Sequence, residues 1–436
     1  MRVGVIGTGH VGLLTCVSLA AFGHDVVGTD SDAEKLARLE AGTSPFFEPG
    51  LQELLTEQTR AERLRFSPDA SGTVREADVV FICVGTPARA TGEANLVAVE
   101  RAATDVALSA TGPLIVVEKS TVPAGTANRV RRTLLRARSD LNGLEVASNP
   151  EFLREGRAVE DSLKPERILV GAESEDAFEA MRALYKPLTD QGVPLIETDI
   201  ATAELAKHAC NAFLALKISF ANALARMCER ADADVTAVAD VMGSDPRIGR
   251  DFLNAGLGYG GYCFPKDLVA FERLAARLGY DFPLLKEVAR INEEAVRAAV
   301  DKVRDALWNL EDKRIALFGL AFKAGTDDVR FAPALTLARI LLEEGADVVG
   351  YDPQAGANAK ADLPDLAVAG DPYEAASDAH CVVLCTEWED FRALDLDRLK
   401  SVMAYPVVVD GRNLLKPAEM AASGFTYYPT GRPPVS

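Results

Sequence analysis

Short apolar, β-branched runs alternate with helix-period segments through the first 200 residues, at positions 2–6, 25–29, 78–84, 114–119, 144–148, 167–170 and 194–197. Such alternation predicts strands joined by crossover helices, and hence a parallel, doubly wound sheet. From residue 199 to about residue 232 the pattern becomes Ala- and Leu-rich, apolar on most faces, and free of proline and glycine. That predicts one long helix buried on several sides, suited to bridging domains or to forming a dimer core.

The alternation restarts at 313–320 and continues at 346–351, 380–385 and 406–409. The two halves are related. Met1-Arg-Val-Gly-Val-Ile-Gly matches Lys313-Arg-Ile-Ala-Leu-Phe-Gly, and Asp25-Val-Val-Gly-Thr-Asp matches Asp347-Val-Val-Gly-Tyr-Asp. The expected architecture is α/β, with two Rossmann-like, doubly wound parallel sheets joined by a central helical domain that holds the one long helix. Expected boundaries are 1–198, 199–309 and 310–436. A length of 436 residues, too great for one core, agrees with two or three domains.

Composition narrows the function. A hydrophobic fraction of 48% and a charged fraction of 26% are ordinary for a globular chain. No apolar run approaches the roughly 18 residues of a spanning helix, and the N-terminus lacks a signal-peptide pattern, so no membrane association and a cytoplasmic address are expected. The net charge of -18 argues against nucleic acid, which needs clustered Lys and Arg. Anionic small molecules remain open, met locally by helix N-termini and a few cations. Seven cysteines show no framework spacing. Cys16, Cys83, Cys210 and Cys228 read as small packed hydrophobes, Cys381 and Cys385 share one strand, and with four histidines in the chain no metal site is expected.

Gly7-Thr8-Gly9-His10-Val11-Gly12 follows the first strand and opens a helix, and Asp30 closes the second strand about 18 residues later, which is the context of a dinucleotide fingerprint. Gly7 permits the tight turn, Gly9 lets a pyrophosphate reach the backbone, and Gly12 lets helix and strand pack closely. Asp30 is placed to bind the adenosine ribose, favouring NAD over NADP because a 2′-phosphate would face a carboxylate. The second half lacks the fingerprint, so it should bind something other than the NAD pyrophosphate, if anything.

Cys263 lies in Gly258-Tyr-Gly-Gly-Tyr-Cys-Phe-Pro-Lys-Asp, where Pro265 reads as the first residue of a helix. A helix N-terminus and the neighbouring Lys266 both lower a thiol pKa, and the preceding glycines leave room for a ligand. Asp267, about one turn on, could position or deprotonate a water. By spacing alone, the site is either a nucleophile or a buried thiol capping a glycine turn. Lys207 and Asn211 project from one face of the long helix, as functional groups or as polar side chains at its edge. Glu151 and Glu155 form another one-turn pair after the fifth predicted strand, where ligands of open parallel sheets lie. Thr86 and Thr121 also follow strands, lining the cofactor site or ending loops.

The ordered segments GTGHVG, VGTP, EKSTVPAGT, NPEFLREG, AELAKHACNAFLALK, RIG, GYGGYCFPKD, GLAFKAGTDDVR and DGRN resemble the UDP-glucose/GDP-mannose dehydrogenase family over essentially the whole chain. KSTVPAGT, NPEFLREG and GYGGYCFPKD look most like its UDP-glucose branch. One departure is Phe331, where the family commonly has an acid after the arginine of its DDxR motif. The resemblance implies NAD-dependent, four-electron oxidation of UDP-glucose to UDP-glucuronate through a covalent adduct on Cys263, in a homodimer or higher oligomer. It implies proton transfer and charge stabilisation by Asp267 and Lys207, water held by Thr121 and Glu151, and the reacting oxygen bound by Asn211. For NAD it implies Gly7, Gly9, His10, Val11, Gly12, Asp30, Lys35, Thr86, Thr121, Glu155, Lys266 and Arg330. For the nucleotide sugar it implies Glu151, Phe152, Leu153, Glu155, Lys207, Asn211, Phe252, Leu253, Asn254, Gly256, Gly260, Cys263, Phe322, Lys323 and Arg412, with Arg247 reaching the substrate of the adjacent subunit. The rival readings are the same chemistry on another nucleotide sugar (GDP-mannose or a UDP-N-acetylhexosamine), a two-electron hydroxy-acid or sugar-phosphate dehydrogenase, which needs no cysteine, and a non-enzymatic NAD-binding protein.

Overall fold

The computed structural model describes residues 1–140 and 142–436. The chain forms two compact units, Met1–Cys210 with Val269–Tyr280, and Asn211–Leu268 with Asp281–Ser436.

The first unit is built on an eight-stranded sheet. Its strands are β1 (Arg2–Ile6), β2 (Asp25–Thr29), β3 (Leu64–Phe66), β4 (Val79–Ile82), β5 (Leu114–Glu118), β6 (Leu144–Ser148), β7 (Ile168–Ala172) and β8 (Leu195–Thr198), in spatial order β3-β2-β1-β4-β5-β6-β7-β8. The first six follow the doubly wound order, so the winding reverses between β1 and β4 and opens a crevice at their carboxyl ends. Because helices cover both faces, β4 and β5 are apolar almost throughout. Val79 and Phe81 enter one core while Val80 and Ile82 enter the other. Two features differ from the expectation. β3 was not foreseen, since Leu-Arg-Phe is three residues with a charged centre. β7 runs antiparallel to β6, pairing Ala147 with Ala172, and apolar runs report burial, not strand direction.

The second unit repeats the plan with β9 (Arg314–Phe318), β10 (Asp347–Tyr351), β11 (Ala367–Val368), β12 (Cys381–Leu384), β13 (Val407–Asp410) and β14 (Thr426–Pro429). All pairs are parallel and the order is β11-β10-β9-β12-β13-β14. This is the order of the first six strands of the other sheet, as the internal repeat implied. β11 and β14, unforeseen, are the two edge strands. The helix Pro283–Leu307 begins on its proline and buries Val296, Val300 and Val303 in one core with Ile315 and Leu317. The long helix spans Ile200–Arg230.

Candidate functional site

In the first unit, β1 feeds the turn that starts the helix His10–Ala21. Gly7 is left-handed (φ +92°), and its N–H donates to Thr29 O (2.8 Å). A Cβ at Gly12 would lie 1.8 Å from Gly7 O, so helix and turn approach as only glycine allows. A Cβ at Gly9, in contrast, would meet nothing within 4 Å. Gly9 is the N-cap and provides no side-chain cap, leaving an open cradle at a helix N-terminus for a phosphate. That geometry fits a dinucleotide. Asp30 Oδ2 accepts from Thr8 N–H (2.8 Å), Thr8 Oγ1 (2.9 Å) and Lys35 Nζ (2.9 Å), and Oδ1 accepts from Asp32 N–H (3.0 Å). Burial acts to raise the Asp30 carboxyl, but these hydrogen bonds together hold it below the usual carboxylate range. The carboxylate therefore stays charged and also fixes the turn. Lys35 faces Asp30, and His10 stacks on Phe46 at 4.7 Å.

The counterpart in the second unit, Asp352, is saturated. Its oxygens accept from the N–H groups of Leu320 (2.7 Å), Ala321 (3.1 Å), Gln354 (2.9 Å) and Ala355 (2.9 Å) and from Trp388 Nε1 (3.3 Å). The second sheet thus keeps the acid as a turn clamp without the glycine cradle.

Around the carboxyl ends of β4–β6, Thr86 Oγ1 donates to Thr121 O (3.0 Å), tying two of the predicted residues together. Ser120 N–H donates to Glu118 Oε1 (2.9 Å), and burial pushes the Glu118 carboxyl up to about 8. One face of the long helix fastens the same loop. Glu204 accepts from Gly125 N–H (2.5 Å) and Ala127 N–H (2.7 Å), and His208 Nε2 lies 2.9 Å from Val122 O. Lys207, between them in sequence, places Nζ 3.1 Å from Glu151 Oε1, and both side chains are buried, at 5% and 6% exposure. Glu151 Oε2 accepts from Leu153 N–H (2.6 Å), and Lys207 Nζ lies 5.2 Å from the Phe152 ring centroid. Glu151 and Glu155 are not a helical pair, because the segment after Pro150 is irregular until the helix Ala158–Leu163. Glu118, Lys119, Glu204 and His208 were missed. Lys119 carried a signal, a lysine just after a strand whose first four residues are apolar.

In the second unit Cys263 is itself the first residue of the helix Cys263–Arg277, two positions before the start the proline suggested. Pro265 lies in the first turn, where a missing N–H is harmless. One turn on, Asp267 is buried with both oxygens held. Oδ1 accepts from Lys266 Nζ (2.6 Å) and Oδ2 from Asn211 Nδ2 (2.7 Å). At the glycines before Cys263, protein groups stand where a side chain would be. A Cβ at Gly260 would lie 2.2 Å from Phe331 O, and one at Gly261 2.8 Å from the Phe322 ring. Gly261 N–H donates to Arg330 O (2.9 Å), and the Arg330 guanidinium covers the Tyr262 ring at 4.5 Å. Phe331 is left-handed (φ +52°) with its side chain in solvent, so at this departure from the family pattern the backbone carbonyl makes the contact.

Arg412 donates to Cys385 O (2.7 Å), Phe322 O (3.3 Å) and Gly258 O (3.4 Å), stapling the cysteine loop to the second sheet. Lys323 Nζ lies 5.5 Å from the Phe322 ring centroid. In the loop at 252–256, Phe252 meets Phe264 edge-on at 6.3 Å, Leu253 and Gly256 are buried, Asn254 is exposed, and Gly256 N–H donates to Asn222 Oδ1 (2.8 Å). Arg247 is exposed and paired with Asp245 two residues away.

Among the described residues, no helix is long and apolar enough to cross a membrane, and no group of three or more His, Cys, Asp or Glu could hold a metal ion. The profile of the UDP-glucose/GDP-mannose dehydrogenase family matches in three segments, its NAD binding domain at 1–189, central domain at 201–294 and UDP binding domain at 316–417. The UDP-glucose 6-dehydrogenase of Rhizobium meliloti (strain 1021) is 45% identical, over 99% of this chain and 100% of that protein. A UDP-glucose dehydrogenase from the hyperthermophilic archaeon Pyrobaculum islandicum superposes with a TM-score of 0.92 at 39% identity, covering 99% of this chain and 98% of the other. The UDP-D-ManNAc dehydrogenase from Pyrococcus horikoshii superposes with a TM-score of 0.87 at 28% identity, covering 99% of each chain.

Proposed function

The chain belongs to the UDP-glucose/GDP-mannose dehydrogenase family, and from that premise we propose that it oxidises the C6 alcohol of UDP-glucose to a carboxylate, with Cys263 as covalent nucleophile. The observation that carries this reading is a cysteine as the first residue of a helix, with Asp267 one turn along it pinned by Lys266 and Asn211. The helix N-terminus favours the thiolate, and the pinned carboxylate is an oriented partner for water. Preference for UDP-glucose over other nucleotide sugars is supported by 45% and 39% identity to UDP-glucose dehydrogenases, against 28% for the UDP-D-ManNAc enzyme.

NAD, when bound on the turn at residues 7–12, supplies the hydride acceptor for both oxidations. The first oxidation removes a hydride and a proton from the C6 alcohol and leaves an aldehyde. Cys263 thiolate adds to the aldehyde carbon, forming a C–S bond and an oxyanion that Lys207 and Asn211 stabilise. Loss of the second hydride gives a thioester. Water, held by Thr121, Glu151 and Asp267, attacks the acyl carbon, the C–S bond breaks, and thiolate is regenerated. In sum, the alcohol and one water yield a carboxylate, two hydrides and three protons.

In this reading His10, Val11, Asp30, Lys35, Thr86, Glu155, Lys266 and Arg330 belong to the NAD side. Phe152, Leu153, the 252–256 loop, Gly260, Phe322, Lys323 and Arg412 belong to the nucleotide-sugar side. The domain division proposed is 1–198, 199–309 and 310–436, supported by the three matched segments. A cytoplasmic address goes with it, since both substrates are anionic nucleotides. A homodimer or higher oligomer is supported by Phe213, Phe220 and Met227. They recur at seven-residue spacing on the long helix and are exposed by 62%, 48% and 64%. Arg247 would then act across the interface. A monomer by light scattering that keeps full turnover would refute this.

The function itself is tested by giving purified protein NAD and a panel of nucleotide sugars and counting NADH per sugar consumed. Two NADH per UDP-glucose are expected, with GDP-mannose and UDP-N-acetylglucosamine much slower, because an ill-fitting base or acetamido group leaves buried polar groups unpaired. One NADH per sugar would indicate a two-electron dehydrogenase, and none a protein without this chemistry.

A further inference from the structure

Lys119 directly follows β5 and takes no part in the chemistry above, yet its surroundings are built. Its Nζ donates to Asn149 Oδ1 (2.9 Å), an acceptor shared with the buried Tyr185 hydroxyl (2.6 Å). Asn149 Nδ2 donates to Leu169 O (2.8 Å), and its N–H donates to Glu118 O (2.9 Å). Asn149 is thus fixed through backbone and side chain, and two residues later comes Glu151, which pairs with Lys207 at 3.1 Å. We propose that Lys119 is a positioning residue for the reaction. It locks Asn149, and through it Glu151, while its charge acts on the Glu151–Lys207 pair. This rests on the assignment of Lys207 and Glu151 above.

A cation at Lys119 disfavours a second ammonium at Lys207, and each lysine opposes the other's charge. The charged and titratable groups that act on Lys119 are Cys83, Glu151 and Lys207. Lys207 also has Glu204 and His208 on its own helix. Burial lowers the Lys119 ammonium to about 8, against the opposing pull of Cys83 and Glu151, with Lys207 adding to the lowering. Lys119 is therefore charged below about pH 8 and loses its influence above it.

The test needs no turnover. In protein labelled with 13Cε-lysine, the Lys207 signal is assigned by its loss in Lys207→Arg and followed against pH. Lys119→Gln keeps a donor for Asn149 but removes the charge, and Lys119→Met removes both. In each, the Lys207 midpoint is expected to rise by about half a pH unit or more, while Lys119→Arg leaves it near the wild-type value. With UDP-glucose and NAD, the ascending limb of kcat should move the same way in the same two variants. A Lys207 midpoint unchanged in folded Lys119→Gln overturns the role of Lys119. Absence of wild-type turnover on UDP-glucose would strike only the proposed substrate, because the titration stands without it.

Discussion

Replacing Cys263 by serine is expected to lower steady-state turnover by several orders of magnitude while leaving NAD and nucleotide-sugar binding intact. The hydroxyl is a far weaker nucleophile than a thiolate at neutral pH, and an ester leaves less readily than a thioester, so both the addition and the hydrolysis slow. In the proposed scheme the first oxidation does not use the sulfur. A single turnover can therefore still give some NADH, and an ester adduct that forms should appear as added mass on the intact protein. The substitution is a mild one structurally, since Cys263 is only partly buried and begins a helix, and serine is favoured at such ends. Stopped-flow NADH detection with intact-protein mass spectrometry decides the matter. A serine variant that yields two NADH per sugar at the normal rate would remove the covalent step and restore the two-electron rival.

Lys207→Met is the second large effect, and it falls on stability as well as rate. The Glu151–Lys207 pair is almost wholly buried. Removing the cation leaves a carboxylate with one backbone donor, from Leu153. Breaking such a pair costs about 3–5 kcal/mol. Loss of a preorganised group facing a developing oxyanion typically lowers kcat by about 10²–10³. Urea melts at pH 5 and pH 8 give the stability, and the double variant Lys207→Met/Glu151→Gln should recover it without recovering turnover. A single variant as stable as the wild type at pH 8 would show that the pair is not the strong buried interaction inferred.

Much of this protein follows from local sequence. Glycine identity at positions 7, 9 and 12 follows from turn, phosphate approach and helix packing, each a local demand, so the fingerprint and the acid at Asp30 could be read directly. Strand-helix alternation and the repeated Met1–Gly7 and Lys313–Gly319 segments similarly gave two doubly wound sheets, because apolar periodicity reports burial of each element.

Tertiary structure decided the rest. Direction is not encoded in an apolar run, which left the antiparallel β7 unseen, and the three-residue β3 carries too few positions to show a period. Nor does sequence distinguish a glycine that makes room for a ligand from one that makes room for protein. Gly260 and Gly261 proved to admit Phe331 O and the Phe322 ring. Asp30 and Asp352 occupy equivalent places in the repeat, but the donors around them, which come from several separate segments, leave one beside an open cradle and saturate the other. Lys119 owes its significance to Asn149, Tyr185 and the Glu151–Lys207 pair, all distant in sequence. A buried charge takes its meaning from groups brought to it by folding, since only there is the screening by water removed.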